Sequence, residues 1–242
     1  MAGNWKMCKN SSETCAFFEK FNSGVAGVTD RDIVICPPFV SIPAAVESTR
    51  DTNVQIGGQN VFWEQKDGAY TGEISGRMLT CVGATWVIIG HSERRQYFHE
   101  TDDTVYKRTV AALESGLKPI VCVGELLQDR EAGQTNWVLE RQFNHGIAKL
   151  TPEQFAKIVI AYEPVWAIGT GKTATPQIAS EAHAFIRSQA VEKFGAGDVR
   201  ILYGGSVKPD NIKGLMAQEE IDGVLVGGAS LDPESFIKIV NF

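Results

Sequence analysis

Apolar residues in this chain gather into eight short runs, at residues 1–5, 32–36, 54–57, 86–89, 119–123, 157–161, 199–203 and 223–226. Each is near-continuous in Val and Ile rather than alternating, the pattern of parallel strands covered on both faces. Between the runs the period changes to that of helices, and start signals mark several of them. Ser11-Ser12-Glu13 opens 14–21, Thr101-Asp102-Asp103 opens 104–115, and Thr175-Pro176 opens 177–194. A hydroxyl or carboxylate caps the first turn, proline is pre-set for it, and Gly116 is a ready C-terminal stop for the second helix. Eight strand–helix units in 242 residues predict an α/β chain folded as one domain over 1–242, a (β/α)8 barrel of eight parallel strands with outer helices. No linker, low-complexity tract or block of charge divides it.

One connection breaks the short-loop rule. Residues 59–75 carry Phe62, Trp63 and Tyr70, too many aromatics for a disordered segment. They read as a projecting arm that buries its rings in a partner subunit, or alternatively as a lid over the chain's own site.

Composition narrows the class of function. With 43% apolar residues the chain can bury a full core, and a net charge of −6 argues against nucleic acid, whose phosphates need basic stripes. No apolar run approaches the roughly 20 residues of a membrane span, and no leader precedes the first motif, so a cytoplasmic chain is expected. Cys8, Cys15, Cys36, Cys81 and Cys122 are odd in number and form no C-x-x-C pair, which predicts free thiols, best read as small buried hydrophobes, and no zinc site.

The chemistry concentrates after the sixth run. There Glu163 ends a strand, Pro164 stops the ladder, and Val165, Trp166 and Ile168 lead an apolar loop to Gly169-Thr170-Gly171-Lys172. A carboxylate at a strand end beside such a loop looks like a base under a lid. Residues 169–174 also fit G-x-G-x-x-A, and 171–173 fit the tail of a P-loop. The first fails because Pro164-Val165-Trp166 separates it from the strand, the second because Trp166 stands where its first glycine belongs. In a barrel, catalytic groups collect at the C-terminal strand ends. Those ends here read Asn4-Trp5-Lys6, Gly90-His91-Ser92-Glu93-Arg94-Arg95, Cys122-Val123-Gly124-Glu125, Glu163, Tyr203-Gly204-Gly205-Ser206 and Val226-Gly227-Gly228-Ala229. Glycine turns after strands seven and eight, joined by Gly169, suit backbone N–H groups gripping a phosphate.

Taken in order and at their spacings, these segments resemble the signature segments of the triosephosphate isomerases across essentially the whole chain. The resemblance implies a TIM barrel and the interconversion of dihydroxyacetone phosphate and D-glyceraldehyde 3-phosphate through an enediol(ate). It makes Glu163 the catalytic base, with a pKa raised by desolvation under the closed loop. It makes His91 a neutral electrophile whose pKa is lowered by a helix N-terminus, as is established for this family. His99, His145 and His183 are left as structural or surface residues. Lys6 and Asn4 would serve the developing oxyanion, with Lys6 also on the phosphate, and Glu93 would pair with Lys6 or Arg94. Gly169, Ser206, Gly227 and Gly228 would bind the phosphate, and hinges at Pro164-Val165-Trp166 and Lys172-Thr173-Ala174 would swing the loop. No cofactor and no metal are expected, because the proton moves within one substrate.

The family is normally a homodimer. Its arm here opens at Asn60 and closes at Glu73, with Thr71 near the partner's Asn4 and Lys6. The chain departs from the pattern twice: relatives carry a few more residues ahead of Ala2-Gly3-Asn4, and Cys8 stands where asparagine is common at the dimer contact. A phosphate-binding barrel without catalysis, or another phosphosugar enzyme, is the alternative. The former could dispense with Glu163, His91 and Lys6, and an aldolase would place its lysine in mid-barrel, whereas Lys6 is the lysine at a strand end.

Overall fold

The computed structural model describes residues 1–168 and 174–242. Its eight strands are β1 (Ala2–Asn4), β2 (Ile33–Cys36), β3 (Val54–Gly58), β4 (Trp86–Ile89), β5 (Lys118–Val123), β6 (Val159–Tyr162), β7 (Ile201–Tyr203) and β8 (Gly223–Val226). They run parallel in sequence order and close on themselves, β1 pairing with β8 through Ala2 opposite Leu225 and Gly3 opposite Val226. Around them stand α1 (Ser11–Val25), α2 (Ile42–Ser48), α3 (Gly76–Cys81), α4 (Ser92–Tyr97), α5 (Asp102–Glu114), α6 (Leu127–Glu131), α7 (Thr135–Gly146), α8 (Pro152–Phe155), α9 (Pro176–Phe194), α10 (Ile212–Met216) and α11 (Pro233–Val240).

Alternation along each strand explains why the apolar runs are continuous. Val34, Cys36, Ile88, Ile120, Cys122, Val159, Ala161, Leu202 and Leu225 join one buried cluster inside the barrel. Their neighbours Ile33, Ile35, Val87, Ile89, Val121, Ile160 and Val224 join a second cluster with the helices. Both faces of most strand positions are therefore dry, with Gln55 of β3 and Lys118 of β5 the half-buried and exposed exceptions.

Caps account for where helices begin. Asn10, rather than the serines after it, caps α1 in a box with Glu13; Thr101 caps α5, and Thr175 with Pro176 opens α9. Phe17, Phe18 and Phe21 on α1 then stack between Trp5 and Phe236 of α11, with Phe21 and Phe236 parallel at 5.4 Å. Each ring so buried contributes about 2 kcal/mol by leaving water.

Two expectations change. The aromatics of residues 59–75 pack within their own chain, Phe62 against Trp63 at 4.3 Å and Tyr70 at 4.9 Å, with the Arg108 guanidinium 4.8 Å from the Trp63 ring. Arg108 also donates to the Val61 carbonyl, and Gln65 to that of Ala111 at 2.7 Å. Phe62 and Trp63 thus stiffen the base of the arm, while residues 66–73, Tyr70 among them, stand in solvent. All five cysteines are free, but only Cys36 and Cys122 are buried; Cys8, Cys15 and Cys81 are exposed. Buried small hydrophobe describes two of the five.

Candidate active site

Trp5 sets the position of the first strand end. Its indole is fully buried, donates to the Ser230 carbonyl at 3.0 Å and lies edge-on to Phe17. The residues on either side are thereby aimed at the barrel mouth. Lys6 has φ 52°, a left-handed backbone that costs a residue with a side chain roughly 1–2 kcal/mol. Two side chains hold it: the Lys6 N–H donates to Asn4 Oδ1 at 3.0 Å, and Gln59 donates to the Lys6 carbonyl at 2.8 Å. With its oxygen so used, Asn4 has its amide NH2 left to offer the cavity. The Lys6 ammonium pairs with Glu93 Oε1 at 2.6 Å, while Arg94 pairs with Glu100 at 2.5 Å, so Glu93 belongs to Lys6.

His91 is the N-cap of α4, and its Nδ1 accepts the N–H of Glu93 at 3.2 Å. An imidazole that accepts at Nδ1 carries its proton on Nε2, and that nitrogen lies 2.9 Å from Glu163 Oε1. Burial works against a charged His91, but the Glu163 carboxylate, with Glu93 behind it, outweighs burial and raises the imidazole above its usual range. The N–H of Glu93 opposes this, because protonation at Nδ1 would set two hydrogens against each other.

Glu163 is 2% exposed. Its Oε2 accepts the backbone N–H of Ser92 at 2.8 Å. Oε1 receives no hydrogen bond, since the His91 N–H is near but not aimed at it. The carboxyl was expected above its usual range. Burial does push that way, yet His91, the Ser92 N–H and Lys6 together hold it below. The reason is position: Glu163 rests against the start of α4, where an imidazole and an orphan helix N–H meet it. Gly124 makes room for this, because a Cβ there would fall 1.8 Å from the Glu163 carbonyl oxygen.

Asn4, Lys6, His91, Glu163, Ser206, Gly227 and Gly228 line one cavity of about 290 Å³ at the C-terminal mouth. Every site residue expected from sequence is brought together there except Gly169, which lies outside the described residues together with Lys172 and Thr173 of the second hinge. Space is open above Gly228, where an added Cβ would meet nothing within 4 Å. Ser206 is steadied from behind, its carbonyl accepting from the Asn211 side chain at 3.0 Å.

Three participants are not among the residues expected from sequence. Lys208, two residues beyond Ser206, lines the cavity as a second cation. Ser92 contributes its main chain only, which no side-chain pattern announces, although a helix start after His91 was a usable signal. Glu125, at the end of the fifth apolar run, is fully buried and accepts from Tyr162 at 3.1 Å and Trp166 Nε1 at 2.9 Å. Burial raises its carboxyl above the usual range against those donors. It ties the first loop hinge to β6.

Among the described residues no group of three His, Cys, Asp or Glu is placed to hold a metal, and no helix is long and apolar enough to cross a membrane. The protein family described as triosephosphate isomerase matches residues 1–242. A triosephosphate isomerase of Solibacter usitatus is 67% identical over 245 residues, spanning 100% of this chain and 98% of that one. That of Citrifermentans bemidjiense is 54% identical, spanning 100% and 97%. Among solved structures, the triosephosphate isomerase of Bartonella henselae superposes with a TM-score of 0.90 at 37% identity, covering 100% of this chain and 97% of that one.

Proposed function

The chain belongs to the triosephosphate isomerase family, and from that membership we propose that it interconverts dihydroxyacetone phosphate and D-glyceraldehyde 3-phosphate by proton transfer through an enediol(ate). The observation that carries the mechanism is the state of Glu163: a buried carboxylate with one oxygen held by Ser92 and the other free of hydrogen bonds, facing an imidazole N–H and an ammonium across one cavity.

The phosphate lies in the open space over Gly228, against Gly227 and Ser206, with Lys6 and Lys208 supplying charge that an acidic protein otherwise lacks there. Glu163 Oε1 takes the proton from the carbon beside the carbonyl, and as it leaves, negative charge develops on the carbonyl oxygen, where His91 Nε2–H, the Asn4 amide and Lys6 meet it. The hydroxyl proton passes from one oxygen of the enediolate to the other, and Glu163 returns its proton to the neighbouring carbon. As Glu163 turns to substrate it leaves His91, and the larger of the two influences that raised the imidazole leaves with it, Glu93 being held by Lys6. The Glu93 N–H then favours the neutral ring, which donates without having to lose a charge. Val165, Trp166 and Ile168, the apolar residues that follow Pro164, keep water from the intermediate.

A homodimer completes this reading. Met7, beside Lys6, is 97% exposed, and residues 66–73 of the arm stand free. A second copy would cover both.

The test is the isomerisation rate of the purified protein beside Glu163→Asp. Shortening the base by one methylene keeps its charge but withdraws it from the carbon, and kcat is expected to fall about a hundredfold or more with KM little changed. An inactive wild type that still binds a phosphate ligand would instead make this barrel a binding protein.

A further inference from the structure

At the opposite face of the barrel from Glu163 lies a cavity of about 510 Å³. It is formed where three neighbouring strands begin, between the end of α5, the short α8 and the end of α9. Its walls are apolar: Leu117, Phe155 and Ile158 are buried in them, and Phe155 stacks on Phe194 at 4.1 Å. Its rim is cationic. Lys118 opens β5, Lys157 stands two residues ahead of β6, and Arg200 one residue ahead of β7, all three exposed and all three lining the cavity. Opposing them at the rim is Asp198. Arg200 is committed to Asp32 at 2.8 Å, whereas among the described residues Lys118 and Lys157 form no direct ion pair, Lys118 acting on Asp32 and Lys157 on Glu153 only at longer range; Lys118 lies 5.1 Å from the Trp86 ring.

A protein of net charge −6 would not be expected to gather three cations around one apolar hollow. An apolar wall with a few convergent charged groups is the ordinary make-up of a small-molecule site, and the volume falls in the usual range of roughly 300–1,000 Å³. We propose that this cavity binds an amphipathic organic anion. Its aryl or acyl body lies on Phe155, Ile158 and Phe194, and its carboxylate, sulfonate or phosphate head sits between Lys118 and Lys157. A neutral ligand leaves the lysines unused, and a cationic one is repelled, so charge complementarity selects the anion. The site is separate from the catalytic mouth and shares no residue with it.

Titration calorimetry of the whole protein with naphthalene-2-sulfonate tests this, with naphthalene-2-methanol as the uncharged control. Saturable binding at one site is expected, weakened by salt and much tighter for the sulfonate than for the alcohol. Lys118→Glu with Lys157→Glu should weaken it about tenfold or more, since two exposed charge contacts are replaced by repulsions. Ala156→Phe keeps the charge and narrows the hollow from its exposed rim, and should also lower affinity. Isomerase activity confirms that each variant is folded, and Lys118→Gln with Lys157→Gln replaces the double reversal if that one is not. Absence of saturable binding by the wild type overturns the proposal. So does equal affinity in the lysine variants, or equal affinity for the alcohol.

Discussion

At the scale of single residues, the imidazoles show how placement sets chemistry. His91 stands at a helix start with a carboxylate beside it, while His183 is fully buried in α9, its Nδ1 paired with the Glu220 carbonyl at 3.1 Å and its ring edge-on to Tyr162. Burial lowers the His183 pKa from 6.5 to about 4. The folded state therefore keeps it neutral where the unfolded chain takes up a proton, so stability is lost as pH falls from 6.5 towards 4. The whole effect amounts to about 3 kcal/mol. Urea unfolding at pH 7 and pH 4.5 should show that loss in the wild type, and His183→Gln, which cannot titrate, should show a smaller drop. An identical drop in both would remove His183 from the account. The sequence left His183 as a structural or surface residue on its helical position, and its full burial decides for the former. It did not show that Glu163 rests against Ser92, since a main-chain donor is announced only by the helix start that follows His91 and not by the identity of the residue.

Among the elements, glycines separate what the fold needs from what the ligand needs. Gly124, after β5, is bare because the Glu163 main chain passes over it, whereas Gly228, after β8, has empty space above it. Gly124→Ala should displace β6, costing about 1–3 kcal/mol of stability and most of the activity. Gly228→Ala should leave the melting temperature unchanged and raise KM, because the methyl occupies room meant for phosphate. Thermal melts beside steady-state kinetics separate the two, and equal melts would contradict the geometry. The strand runs were legible because nearly all strand positions are buried whichever face they point to, and the helix starts because their caps are chemical. The long connection was legible only as functional in kind. Its rings were expected to wait for a partner, but Arg108, far along the chain on α5, gives Phe62 and Trp63 one at home. A pairing between distant segments of that sort has no local signature.

For the whole molecule, the state of assembly should be readable from one thiol. Cys8 lies exposed beside Met7 at the face where a second copy is proposed. Labelling with a thiol reagent should be slow in concentrated protein and faster on dilution into monomers; equal rates would argue against burial of Cys8 between copies. The barrel's closure carries one more consequence, in time rather than space. β1 finds its second neighbour only in β8, and the Trp5 indole bonds to Ser230, 225 residues away. A ribosome adding on the order of ten residues each second needs tens of seconds to span that distance. Lys6 is present through almost all of that interval and His91 through more than half, whereas Glu163 joins them only in its last third and Gly227 and Gly228 at its very end. On the function proposed above, the nascent chain acquires Glu163 ahead of Gly227 and Gly228, so the cavity is complete only when synthesis is almost done.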